Sequence, residues 1–195
     1  QRDLPNTFDI KAGKPVVRLD WLNNDNRIIT KYISSGTFGR TSSVRYSLKK
    51  FNTSRQRVEG RIIEPFWGRS AIGLMSNDAM TNYVIAEVQS DAGTNNWLRI
   101  RYGTSPTTWS APMGTQWQHP DFGGWDENDK IAIGAEPIPD NPTRTRYTAY
   151  HNGVARCVWD DTTGIVNTSA TNRSQVMIFD MDGTLLSQGT GWADI

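Results

Sequence analysis

Residues 83–102 read YVIAEVQSDAGTNNWLRIRY. Val84, Ala86 and Val88 alternate with Tyr83, Ile85, Glu87 and Gln89. After a turn rich in Asp, Gly and Asn the alternation resumes, with Leu98, Ile100 and Tyr102 against Trp97, Arg99 and Arg101. A side-chain period of two belongs to strands with one buried face, so this stretch predicts a pair of strands. The same pattern extends on both sides. Residues 43–51 set Val44, Tyr46 and Leu48 against Arg45, Ser47 and Lys49, and residues 57–63 set Val58, Gly60 and Ile62 against Arg57, Glu59 and Arg61. Residues 70–75 form a short apolar run, and residues 130–136 set Ile131, Ile133 and Ala135 against Lys130, Ala132, Gly134 and Glu136. Residues 144–151 lead into Asn152-Gly153, a strong hairpin signal, and residues 154–159 return from it. Residues 175–181 are the last clear strand, with a weaker one at 192–195. Apolar spacing of the helical kind is almost absent. The expectation is an all-β chain, a single-domain antiparallel β-sandwich over residues 1–195 with about ten to twelve strands. Residues 104–129 and 137–142 read as long Pro/Gly-rich loops.

Composition narrows the function classes. Lys+Arg 21 against Asp+Glu 20 leaves a formal charge of +1, without the basic excess a nucleic-acid binder needs. Eight Trp, six Tyr and six Phe are too many for a disordered chain. No run approaches the ~18 apolar residues of a membrane span. Cys157 is the lone cysteine, so no intramolecular disulfide forms. The first residue is Gln1, as in a processed secreted chain, and N-x-S/T triplets at Asn52, Asn167 and Asn172 arise easily by chance in an Asn/Thr-rich sequence; a secreted, extracellular chain is the expectation, and a monomer is expected separately. The arginines gather by alternation on particular strands (Arg57 and Arg61, Arg99 and Arg101, Arg144 and Arg146), so a neutral total can hide a basic face.

Several strings, read in order, resemble the concanavalin A-like lectin/glucanase superfamily. SSVRYSLKKFNTSRQRVEGRIIEP is similar to its early paired strands, and SAIGLMSNDAMTNYVIAEVQSDAGTNNWLRIRYG to its middle meander. DKIAIGAE, RYTAYHNGV and VARCVWDDTTG are similar to its later hairpin region. The resemblance implies a jelly roll of two packed sheets, one offering a groove to a glycan. The superfamily holds lectins, hydrolases, lyases and structural modules, so fold does not fix function.

Candidate sites follow from the alternation and from this resemblance. Arg57-Val58-Glu59-Gly60-Arg61 is an R-x-E-x-R run whose charges share one strand face. It resembles a strand of jelly-roll polysaccharide lyases, where arginine neutralises a uronate carboxylate before proton abstraction. The Q-I-H strand of those lyases would fall at Glu87-Val88-Gln89, without the histidine. Their Y-F-K-x-G strand is echoed at residues 178–183, without the lysine. A lyase would therefore draw its catalytic groups from Tyr150, His151, Gln89 and Arg61, with His119 as the other histidine. A binding groove would be lined by Arg57, Glu59, Arg61, Glu87, Gln89, Arg99, Arg101 and Arg146, with Trp117 and Trp125 of the long loop offering flat faces to sugar rings. The E-x-D-x-x-E strand of laminarinase-type hydrolases does not occur, nor does a G-x-S-x-G elbow. VMIFDMDGTLL resembles the haloacid dehalogenase signature, but the βα crossovers that signature needs are missing, and it reads as a strand and turn. No cofactor is required; Asp180 and Asp182 are candidate ligands for a structural calcium. Three functions remain, in order: binding of a polysaccharide, acidic uronate-containing chains included; β-elimination of a uronate-containing glycan; and a structural or adhesive surface role.

Overall fold

The structure is a computed structural model that describes residues 8–11, 14–19, 28–35, 41–47, 50–51, 53–62, 68–90, 95–105, 108–121, 124–126, 128–180 and 189–193. Its strands are β1 (Phe8–Lys11), β2 (Lys14–Leu19), β3 (Ile28–Ser35), β4 (Thr41–Ser47), β5 (Gln56–Arg61), β6 (Gly68–Ser76), β7 (Tyr83–Ser90), β8 (Trp97–Ser105), β9 (Thr108–Trp109) and β10 (Met113–Gln118). They continue as β11 (Lys130–Ile138), β12 (Asn141–His151), β13 (Val154–Asp161), β14 (Ser174–Asp180) and β15 (Gly189–Ala193). The first sheet runs β1-β2-β15-β5-β11-β12-β13 and the second β10-β8-β7-β6-β14-β4-β3, with β9 on β8. The strand pairings are antiparallel, as the alternating pattern predicts. No helix of the described residues is long and apolar enough to cross a membrane.

Pleating decides which residues meet between the sheets. Val58 of β5, Ile131 and Ile133 of β11, Tyr147 and Ala149 of β12, and Cys157 and Trp159 of β13 face Ile72 and Leu74 of β6, Val84, Ala86 and Val88 of β7, and Leu98 and Ile100 of β8. Each such aliphatic side chain, taken from water, contributes roughly 1.5–3 kcal/mol. Cys157 belongs to this core: its thiol donates to Leu98 O at 3.1 Å, and burial pushes its pKa up to about 12. It is held protonated and unreactive.

The hairpin signal holds. Asn152 and Gly153 both have positive φ, 49° and 82°, as a two-residue primed turn requires. The loops are tighter than their composition implies. Only residues 139 and 140 separate β11 from β12. The stretch 104–129 carries β9 and β10, and β10 crosses to the first sheet: Val158 N–H donates to Thr115 Oγ1 at 2.8 Å. Gly114 makes that approach possible, with φ of 64° and a missing Cβ that would strike the Val158 carbonyl.

Two other glycines differ in what lies above them. A Cβ on Gly103 would fall inside the Tyr83 ring, whereas one on Gly134 would meet Gln56 O and the Tyr150 ring at 3.6 Å, ordinary contact. Gly103→Ala is therefore expected to lower stability by about 1–3 kcal/mol, and Gly134→Ala to shift it by less than about 1 kcal/mol. Urea denaturation midpoints of the two variants check this; equal midpoints would contradict the packing of Tyr83.

Candidate functional site

The register of β6, β7 and β8 sets Arg69 opposite Gln89, Glu87 opposite Arg99, Ile85 opposite Arg101, and Gln89 opposite Trp97. Opposed residues share a face, so these side chains gather on the outer side of the second sheet. Glu87 has no solvent exposure. Arg101 Nε lies 2.9 Å from its Oε2, Arg99 Nη1 3.6 Å from Oε1 and Arg69 Nη1 3.9 Å from Oε2. A buried carboxylate must be paired, and these guanidiniums pair it. Among the described residues, three cations around one anion leave two positive charges over. Burial pulls the Arg99 guanidinium below its ordinary pKa, against the attraction of Glu87 and aided by the repulsion of Arg101 and Arg69.

The ring of arginines is held from outside. Arg99 Nη1 donates to Gln89 Oε1 at 2.8 Å, its guanidinium lies 4.7 Å from the Trp97 ring, and Arg101 Nη1 donates to Ser110 O at 2.6 Å. Both Glu87 oxygens, Arg99 Nε and Arg101 Nε nonetheless lack an aligned hydrogen bond among the described residues. Their contact is electrostatic and leaves bonding capacity unused. Further along this face Tyr83, Ile85, Ala71, Met80 and Val176 form a separate apolar cluster. The Tyr83 hydroxyl donates to Ser105 O at 2.7 Å and accepts from Trp109 Nε1 at 3.1 Å, and burial raises its pKa, so it is no general base.

The remaining expected groove residues lie elsewhere. Arg57, Glu59, Arg61, Arg146 and Tyr150 project from the outer side of the first sheet, where β5, β11 and β12 lie side by side. Each arginine there has a partner: Arg57 bonds Glu59 at 3.3 Å and covers the Tyr150 ring at 4.4 Å. Arg61 bonds Asn128 at 2.9 Å, and Arg146 makes a bidentate pair with Asp160 at 2.7 and 2.8 Å. That pair lowers the Asp160 pKa and raises that of Arg146. The R-x-E-x-R run and the Glu87-Val88-Gln89 string thus occupy different sheets and do not share a groove. The four residues grouped as catalytic are not brought together either. Gln89 is on the second sheet, Arg61 and Tyr150 are on the outside of the first, and His151 points to its inside, one residue and one pleat away from Tyr150.

His151 meets a different company at one end of the sandwich. Its Nε2 lies 3.0 Å from Asp129 Oδ1, and its ring is 5.1 Å from that of His119, 5.2 Å from Trp117 and 5.4 Å from Trp125. Trp125 is 1% exposed and donates through Nε1 to Gln89 O at 2.8 Å, so it is core and not an open sugar platform. Trp117 is half-buried between the His151 ring and the Arg156 guanidinium, 4.6 Å away. Burial raises the Asp129 pKa, but hydrogen bonds from Asp126 N–H, the Asn152 amide and His151 outweigh it and the net shift is downward. Burial, helped by His151, lowers the His119 pKa.

Asp180 ends β14 opposite Ser42; its side chain, and Asp182 altogether, lie outside the described residues, so the expected calcium ligands do too. The apolar run that starts at Ser70 leaves out Arg69, one residue earlier on β6. Asp129 was missed because it sits one residue before its strand, and only the β5–β11–β12 pairing brings it to His151.

No protein-family model matches the chain, and no curated protein does. Solved structures match over nearly its whole length. The carbohydrate recognition domain of Emp47p is 10% identical, with a TM-score of 0.58, covering 96% of this chain and 100% of that one. The carbohydrate binding module CBM66 from Bacillus subtilis is 13% identical, with a TM-score of 0.50, covering 88% and 94%. A Bacteroides ovatus mixed linkage glucan GH16 in complex with a G4G4G3G product is 11% identical, with a TM-score of 0.50, covering 90% and 96%. At such identities the likeness is one of fold, and that fold is the concanavalin A-like jelly roll.

Proposed function

We propose that the protein binds a carbohydrate on the outer face of its second sheet, with acidic saccharides preferred. The observation that carries this reading is the fully buried Glu87 ringed by Arg69, Arg99 and Arg101, with two positive charges in excess and several polar atoms unaligned. A uronate carboxylate supplies the charge this ring lacks, and a guanidinium fork matches its two oxygens. Gln89 and the half-buried Trp97 flank the ring with an amide and an indole. The first sheet's outer face is a weaker candidate because Arg57 and Arg146 are already paired with Glu59 and Asp160, and Arg61 is held by the Asn128 amide. The carbohydrate recognition domain and carbohydrate binding module among the similar structures support a saccharide as the ligand class.

Binding without cleavage is the reading. β-Elimination needs a base within hydrogen-bond reach of the proton beside the carboxylate. Tyr150 and His151 are on other surfaces, and Tyr83 is held protonated.

Calorimetric titration with oligogalacturonate and with a neutral β-glucan tests the proposal. The expected result is binding of the acidic chain that weakens with added salt, with no new absorbance near ~235 nm. Arg69→Gln is expected to reduce affinity at least about tenfold, whereas Arg57→Gln on the other face leaves it unchanged. Equal binding of the neutral chain, or loss with Arg57→Gln alone, would overturn the assignment of the face.

The carboxylate also has a structural role. Glu87→Gln leaves the guanidiniums facing one another, and the expected loss is roughly 3 kcal/mol, at the low end for a broken buried pair because the arginines retain some solvent. A guanidinium chloride series would mask this with its own salt, so urea is the denaturant of choice; an unchanged midpoint would mean the arginines do not depend on Glu87.

A further inference from the structure

The buried cluster at the end of the sandwich takes no part in the saccharide reading. We propose that His119, Asp129 and His151 form a site for one divalent transition ion of the zinc type. One ligating atom from each residue lies within 4.8 Å of the other two, and all three residues are buried. Tetrahedral nitrogen and oxygen ligands at ~2.0–2.1 Å from an ion stand ~3.3 Å apart. His151 Nε2 and Asp129 Oδ1, at 3.0 Å, already hold about that separation. The widest separation has to shrink by no more than about 1.5 Å, within reach of side-chain rotation.

The donor set points to the class of ion. Two imidazoles and one carboxylate suit a borderline ion and leave a fourth position for water. Calcium or magnesium would need six or more oxygens, and this cluster does not offer them.

Surrounding groups fix the ligands in place. Asn152 Nδ2 donates to Asp129 Oδ1 at 2.7 Å and Asp126 N–H to Oδ2 at 2.9 Å. His119 N–H donates to Asn96 O at 2.8 Å, and its ring Nδ1 accepts from Asp121 N–H at 3.2 Å. His151 is anchored by its pairing with Ile131. The Trp117 and Trp125 rings wall the cluster. Such outer partners are what a metal ligand set needs to be oriented before the ion arrives. The three ligands come from the two sheets, so the ion would tie the end of β12 and the start of β11 to the segment that follows β10.

The chain contains two histidines, which makes the test direct. The untagged, chelator-treated chain is titrated with zinc chloride while the histidine ring resonances are followed by NMR. Both rings are expected to shift together and to stop shifting at one equivalent. Cobalt(II) in place of zinc is expected to give the visible absorption of a four-coordinate ion, and calcium chloride to leave both rings unmoved. Asp129→Asn and His119→Gln are each expected to weaken zinc binding at least tenfold in calorimetry. Saturation with either ring unmoved, no binding by the wild-type chain, or full-strength binding by both variants would overturn the proposal. The wild-type NMR and cobalt readouts decide the matter even where a variant fails to fold.

Discussion

Strand β7 is dry on both sides, and the rest of the arrangement answers to that constraint. Pleating sends Val84, Ala86 and Val88 into the space between the sheets and Tyr83, Ile85, Glu87 and Gln89 outward. The inward set needs only aliphatic neighbours. The outward set contains a carboxylate, and a carboxylate without water has to be met by positive charge. The neighbouring strands supply it, Arg99 of β8 from the opposed position and Arg101 of β8 and Arg69 of β6 from the diagonal ones. The charged ring is thus a requirement of the fold before it is a feature of any ligand site.

The two outer faces resolve the same ingredients differently. On the first sheet Arg57 is matched with Glu59 and Arg146 with Asp160, at positions that water also reaches. On the second sheet the cations around Glu87 outnumber it, and the carboxylate itself is out of reach of water. A near-zero net charge conceals this contrast because the surplus is local. Recognition of an anion depends on local potential, not on the total.

What the sequence made legible follows from what a period of two encodes. Alternation assigned faces to β5, β7, β8 and β11 correctly, and Asn152-Gly153 marked the hairpin between β12 and β13. It did not assign strands to sheets, since a period of two says which side a residue takes and nothing about which strand lies next to it. Hence Arg57, Glu59 and Arg61 were grouped with Glu87 and Gln89, although a whole sandwich lies between them. The sequence of β10 resembles a loop because Gly114 and an irregular register with β8 interrupt its alternation. Trp125 was read as exposed because it lies outside any strand, yet its indole closes the end of the core with its N–H satisfied by Gln89 O. His119, Asp129 and His151 carry no motif spacing; their proximity arises only when β11, β12 and the end of β10 are packed.

The crossing of β10 to β13 has a further consequence for how copies of the chain can meet. Each is the terminal strand of its sheet, and an unpaired strand edge is a template for adding a foreign strand. Here Thr115 and Val158 bond across the gap, and Gly114 lets the two backbones come close enough to shut it. The sandwich is in effect seamed along this side. Strand-to-strand growth is left to β1 and β3 at the opposite margins, and β3 carries a register break between Thr30 and Tyr32 that spoils it as a flat template.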